Sequence, residues 1–201
     1  MRRKNRNYKK GGRHRDARLF VIVAEGERED AYFRYFNELN QRILIQIVPR
    51  VANQSAPKLF LERVNQFIQE DGWTPKENDL LWFVLDVDRW KRESIEDLRI
   101  ACQQHPNWHL GISNPCFEVW LLFHLVDSLV DNGEKCKDLK SLLHQKAKGN
   151  QELKRLANLL SNAAENAAKA DTSPRGDYPD RMQTKLYHLA KQMLTVLGKQ
   201  L

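Results

Sequence analysis

Apolar residues alternate between short β-rich runs and longer helical stripes through the first 130 positions of the chain. RLFVIVA, residues 18–24, is a continuous apolar run of strand length. EGEREDAYFRYFNELN, residues 25–40, sets Tyr32, Phe33, Phe36 and Leu39 at helical spacing. Its first turn is acidic, where the helix dipole favours negative charge. RILIQIVPRV, residues 42–51, reads as a second strand ended by Pro49. SAPKLFLERVNQFIQE, residues 55–70, reads as a helix with Ser55 as cap and Pro57 in its first turn. DGWTPKEND is a turn-rich loop, Asp79 to Asp86 a third strand, SIEDLRIACQQ a helix, and NWHLGIS, residues 107–113, a fourth strand.

This alternation predicts an α/β fold, a mostly parallel four-stranded sheet with helices on both faces. The apolar stretch NPCFEVWLLFHLVDSLV, residues 114–130, contains a further helix with Glu118 one turn into it. Composition then changes. Residues 134–171 show no strand pattern and read as two helices, and a loop, DTSPRGDYPD, leads to a last helix from about Arg181 to Leu197. Three regions follow: a basic arm over 1–17, the α/β core over 18–130, and a helical C-terminal region over 131–201 packed on that core.

Charge sharpens the picture of the arm. The formal net charge is +7, yet residues 1–18 hold nine Lys/Arg and one Asp. The other 183 residues carry 24 basic and 25 acidic side chains, so the basic property belongs to the arm and not to the fold. Arg2, Arg3, Lys4, Arg6, Lys9, Lys10, Arg13 and Arg15, with a Gly-Gly break, suit a segment attracted to phosphate backbones; a solubilising tail is the alternative. No run of 18 apolar residues predicts a membrane span, and the basic N-terminus lacks the hydrophobic region of a secretory signal. Three cysteines, Cys102, Cys116 and Cys136, form no CxxC or Cys/His cluster and read as free thiols of a reducing cytoplasm.

Candidate chemistry begins at LLWFVLDVDRW, residues 80–90. Side chains at i and i+2 of a strand share a face, so Asp86 and Asp88 leave the end of this run on one side. Two like charges held so close repel unless a cation lies between them. The pair is a divalent-metal candidate, or else a polar strand end entering a turn.

In open parallel sheets, ligands bind beyond the carboxyl ends of the strands. Glu25-Gly26 follows the first strand directly, which puts Glu25 at the same edge as Asp86 and Asp88. Glu29, one helical turn on, reaches the same volume, Glu27 less easily, and Asp30 reads as solvated. The fourth strand runs into SNPCFE, which adds Glu118 on a helix otherwise apolar almost all round. A buried carboxylate there needs a partner: a metal, a cap or an arginine. His124 reads as a satisfied core histidine. Hard oxygen ligands with this much charge suit Mg²⁺ or Mn²⁺ rather than zinc, and such ions serve phosphodiester chemistry. Arg89 and Lys91 are candidate phosphate contacts, or solvated charges. No GxxxxGK[ST], GxGxxG or GxSxG is present, so no P-loop, dinucleotide site or nucleophile elbow is supported.

A strand followed by EG, then a strand ending in DxD, resembles the Toprim domain of topoisomerases, primases and overcoming-lysogenization-defect nucleases. The chain more specifically resembles the RloB family, also called AbiLii-like, in VAEGEREDAYF (23–33), FVLDVDRW (83–90), SNPCFEVWLLFH (113–124) and PDRMQTKLYHL (179–189). Arg28 stands where the family pattern often has threonine. The resemblance implies acid/base catalysis by Glu25 and Mg²⁺ binding by Asp86 and Asp88. It also implies a role in prokaryotic antiviral defence beside an AAA- or ABC-type ATPase partner. The expectation is a Mg²⁺-dependent nuclease acting on DNA or RNA (transfer RNA included), with Glu25 as metal ligand or general acid/base and Glu29 and Glu118 completing the metal shell. A non-catalytic nucleic-acid-binding module docked on an ATPase is the second reading, and phosphoryl transfer to a nucleotide the third.

Overall fold

The structure is a computed structural model that describes residues 17–50, 57–70, 76, 78–88, 90, 92–147 and 152–198. The arm residues 2–15, together with Ser55, Arg89 and Lys91, lie outside the described residues. Four parallel strands form the body of the sheet: β1 (Arg18–Ala24), β2 (Ile43–Ile47), β3 (Leu80–Asp86) and β4 (Trp108–Asn114). A fifth, β5 (Gln183–Thr184), pairs antiparallel with the end of β4, and the order across the sheet is β2-β1-β3-β4-β5. The chain steps outward from β1 to β2, then returns to the other side of β1 for β3. That reversal opens a crevice between the carboxyl ends of β1 and β3, where α/β sheets bind ligands.

The strands are apolar on both faces because helices cover both. Phe20, Ile22, Trp82 and Val84 point into one cluster, while Leu19, Val21, Val23, Leu81, Phe83 and Leu85 point into the other. The second cluster is closed by α3 (Pro57–Glu70) and α4 (Arg92–Gln104), through Phe60, Val64, Phe67, Ile95 and Leu98. Each such side chain, fully buried, contributes about 1.5–3 kcal/mol relative to exposure.

The first cluster takes α1 (Glu27–Arg34), α2 (Phe36–Leu39), α5 (Glu118–Phe123), α6 (Cys136–Ala147), α7 (Glu152–Ala157), α8 (Leu160–Ala170) and α9 (Leu186–Leu197). Leu160, Ala163, Leu189 and Met193 share this core with Phe20 and Trp82, so the C-terminal helices form a layer of the domain. Among the described residues no helix is long and apolar enough to cross a membrane.

Four details differ from the pattern-based expectation. The sheet has five strands instead of four. The helix expected over 25–40 is broken at Tyr35, whose N–H turns back to Tyr32 O at 3.3 Å. The helix expected to hold Glu118 one turn in begins at Glu118 and ends at Phe123, although Leu125, Val126 and Leu129 still pack on the core. Among the described residues, the region expected to hold two helices holds three.

β5 is fixed by its neighbours: Lys185 N–H donates to Ile112 O at 2.8 Å, and the Ser113 and Thr184 hydroxyls bond at 2.9 Å. Beyond it the buried Lys185 ammonium donates to both Asp171 oxygens (2.8 and 2.6 Å) and to Ser173 O (2.6 Å), while Tyr187 O–H donates to Asp171 at 2.7 Å. A buried ammonium needs this full set of acceptors.

Candidate active site

The expected edge is built where β1 and β3 lie side by side, with Ala24 paired to Val84. Glu25 continues that ladder, its N–H donating to Val84 O at 3.2 Å. Its carboxylate turns across the crevice, where Oε2 accepts the Trp90 indole N–H at 3.2 Å and faces the Asp86 N–H at 3.4 Å. The segment after β3 is held just as firmly: Val87 N–H donates to Ser113 O (3.1 Å) and Asp88 N–H to Pro115 O (3.0 Å). Both aspartates are thereby referred to the β4–α5 turn, which contains a cis Asn114–Pro115 peptide.

Gly26 is needed for a close approach. A Cβ at Gly26 would lie 2.6 Å from Glu29 Oε2, because the Glu29 carboxylate folds back over this turn. Glu29 is only 5% exposed. Burial raises its carboxyl to about pKa 7, helped by the charges of Glu118, Glu25 and Asp30 and opposed by a backbone hydrogen bond. Asp86 is raised well above the usual carboxylate range, first by burial, then by Glu29, Glu25, Glu118 and Asp88. As a whole residue Asp86 is half-buried, but its Oδ1 is fully buried and has no hydrogen-bond partner among the described residues.

Glu118 opens α5 and is 3% exposed. Arg28 (Nε 3.7 Å from Oε1) and Lys140 (Nζ at 4.0 Å) supply the partner that the sequence leaves open. Arg28 also pairs with Glu152. Glu25, Glu27, Glu29, Asp86, Asp88 and Glu118 line one cavity of about 290 Å³, together with Arg28, Lys140, Cys116 and Cys136. Asp88 is exposed, and its Oδ2 accepts the Cys136 S–H at 3.3 Å. Burial, with a further contribution from Asp88, pushes the Cys136 thiol up to about 11; burial raises Cys116 further still. Among the described residues no three His, Cys, Asp or Glu side chains are arranged to hold a metal ion. The acids surround the cavity without being drawn to one point.

The structure thus brings Glu25, Glu29, Asp86, Asp88 and Glu118 together. Asp30 corrects the sequence reading: it is 5% exposed and pairs with Arg50 at 3.3 Å, because the end of β2 carries Arg50 over the first turn of α1. His124 is the core histidine expected. Its Nδ1–H donates to Trp120 O (3.1 Å), its Nε2 accepts the Tyr32 O–H (2.8 Å), and burial holds it down at about pKa 4.

Trp90, Arg63, Lys140 and the two cavity cysteines have no sequence signal of their own. Arg63 is buried on α3. It donates to Ala24 O (2.9 Å), Val48 O (3.0 Å) and Pro49 O (3.2 Å), capping the ends of β1 and β2 directly before Glu25.

A family model described as RloB-like protein matches residues 20–193, most of the chain and all of the cavity. No curated protein and no solved structure matches the chain.

Proposed function

We propose, since the chain belongs to the RloB-like family and gathers six carboxylates around one cavity, that it is a Mg²⁺-dependent nuclease with a Toprim-like centre. The observation that carries this reading is Asp86: a buried carboxylate oxygen with no hydrogen-bond partner among the described residues, set among five other acids, in a place where the charged form is disfavoured without a cation. An all-oxygen donor set of this charge fits Mg²⁺ or Mn²⁺. Asp86 and Asp88 would hold the ion, with Glu25, Glu29 and Glu118 around it, and it would supply Lewis acidity toward a phosphodiester oxygen.

The chain's own groups have separate tasks. Glu25, held by the Trp90 and Asp86 N–H groups, is the acid/base group facing the crevice. Glu29, poised near pH 7, is matched to accepting and releasing a proton beside it. Arg28 and Lys140 give an acidic cavity a cationic side suited to a phosphate group. The basic arm adds salt-dependent affinity for a DNA or RNA backbone. A defence setting and an AAA- or ABC-type ATPase partner come with the family resemblance and are part of the proposal.

The test is cleavage of DNA, transfer RNA and other RNA by the purified chain with Mg²⁺ or Mn²⁺. Asp86→Asn and Glu25→Gln should each lower the rate about 100-fold or more; rates equal to wild type in both would overturn the assignment. One observation favours the second reading, a nucleic-acid-binding module: no three described ligands are arranged around one ion. Retained nucleic-acid binding without metal-dependent cleavage would select that reading.

A further inference from the structure

The two edges of the sheet are finished differently. β2 forms one edge, where residues bonded to β1 alternate with residues whose N–H and C=O point outward. Ile45 is an outward residue, and the Asn37 side chain seals it. The Asn37 amide N–H donates to Ile45 O at 3.0 Å, and its carbonyl accepts the Ile45 N–H at 2.7 Å. One planar group with a donor beside an acceptor thus completes an edge residue.

Beyond β4, β5 pairs only with Ser113 and Asn114. Leu81 N–H donates to Asn107 O and Val87 N–H to Ser113 O, so the odd-numbered residues of β4 serve β3 and the even-numbered ones face outward. Trp108 N–H turns to His105 O, and Ile112 O accepts the Lys185 N–H and the Thr184 hydroxyl. Leu110 lies between them with N–H and C=O outward, and among the described residues neither group has a hydrogen-bond partner. Backbone groups of this kind are nearly always satisfied by something.

Leu110 lines a cavity of about 360 Å³ that shares no lining residue with the acidic one. α4 walls it on one face of the sheet and α9 on the other. Trp82 stacks on His109 with ring centres 4.8 Å apart, and its indole N–H donates to Gln192 at 3.2 Å. His109 Nε2 is buried and is a second polar atom without a hydrogen-bond partner among the described residues. Arg99 reaches the cavity from a surface pair with Glu96, a weak hold that a phosphate can displace. Asp177 lines it too and is exposed. An added peptide strand would need several open edge residues in a row. One open residue between two helices, beside aromatic rings, suits a flat heterocycle instead.

We propose that this cavity is a nucleotide site separate from the acidic one, with the base lying in the extension of the sheet. A donor–acceptor edge of the base, such as the amino group and ring nitrogen of adenine, pairs with Leu110 as Asn37 pairs with Ile45. A further polar atom of the ligand bonds His109 Nε2, and the sugar and phosphate leave past Asp177 and Arg99. The volume suits a base with its sugar. The recognised chemistry is the base, whether a free nucleotide or a nucleic-acid strand supplies it.

The experiment titrates the full-length, isotope-labelled chain in chelator with adenosine monophosphate and, separately, with a short adenine-only RNA. Affinity and amide hydrogen exchange are both read. Saturable binding should slow exchange at Leu110 about tenfold or more and leave Ile45, already held by Asn37, unchanged. His109→Phe keeps a ring against Trp82 but removes the nitrogen, and should bind about tenfold more weakly. Binding of the monophosphate assigns a free nucleotide; binding of the RNA alone, with Leu110 protected, assigns a base carried on a strand. No saturable binding of either probe, binding that leaves Leu110 exchanging as before, or equal affinity in a folded His109→Phe would each overturn the proposal. Chelator removes any metal and the acidic cavity enters neither readout, so failure here and failure of the nuclease reading stay distinct.

Discussion

Glu29→Gln is predicted to stabilise the metal-free protein, and to do so strongly only above about pH 5. The Glu29 carboxyl sits at about pKa 7 against an ordinary value of 4.5, chiefly through burial and then through Glu118, Glu25 and Asp30. Its folded-state value is raised, so the native chain binds the proton more tightly than the unfolded chain. Stability is then undiminished below about pH 4.5 and declines as the pH rises toward 7. The difference corresponds to a penalty of about 3 kcal/mol at pH 8 and about 1 kcal/mol at pH 5. Glutamine keeps the shape and removes the charge. Urea and thermal unfolding of both proteins in chelator, at pH 8 and pH 5, is the assay. At pH 8 the variant should unfold about 6–12 °C higher, given roughly 2–4 °C per kcal/mol for a chain of this size. Added Mn²⁺ should raise the wild type more than the variant. A variant no more stable at pH 8, or an equal gap at both pH values, would refute the assignment of a charge-strained Glu29.

Three further outcomes follow from buried polar groups. His124, held near pKa 4 against 6.5, should cost stability as the pH falls from about 6.5 toward 4. Relative to His124→Gln, the wild type should lose about 3 kcal/mol between pH 7 and pH 4, measured by urea unfolding. Arg63→Met strips three carbonyls, two of them buried, of their donor and should lower stability by roughly 2–4 kcal/mol in the same assay. Lys185→Met strands the Asp171 carboxylate and should cost about 3–5 kcal/mol, part of which Asp171→Asn in the same chain restores.

The parts of the centre legible in the sequence are those fixed by strand ends. β1 and β3 are buried on both faces, so they appear as unbroken apolar runs, and Glu25, which follows β1, and Asp86, which ends β3, mark one sheet edge. Glu118 was legible as a buried charge in need of a partner, but Arg28 and Lys140 reach it from α1 and α6, and only packing brings those helices together. Arg63 reads in sequence like any charge on an amphipathic helix; its role depends on β1 and β2 ending above it. β5 has two residues, too few to show a period, and its place comes from the Lys185 and Thr184 bonds to β4. Cys116 and Cys136 illustrate the same limit, since nothing in their spacing states that α6 begins beside the β4–α5 turn.

The central claim is that these carboxylates form a cation site organised by Asp86. Calorimetric titration of the metal-free chain with Mn²⁺ at pH 7.5, against Asp86→Asn, tests it directly. The wild type should bind Mn²⁺ saturably with release of protons, since Asp86 and Glu29 hold theirs more tightly than ordinary carboxyls. Asp86→Asn should bind at least about tenfold more weakly and release fewer protons. Saturable binding of equal strength in the two proteins, or none in a folded wild type, would contradict the account.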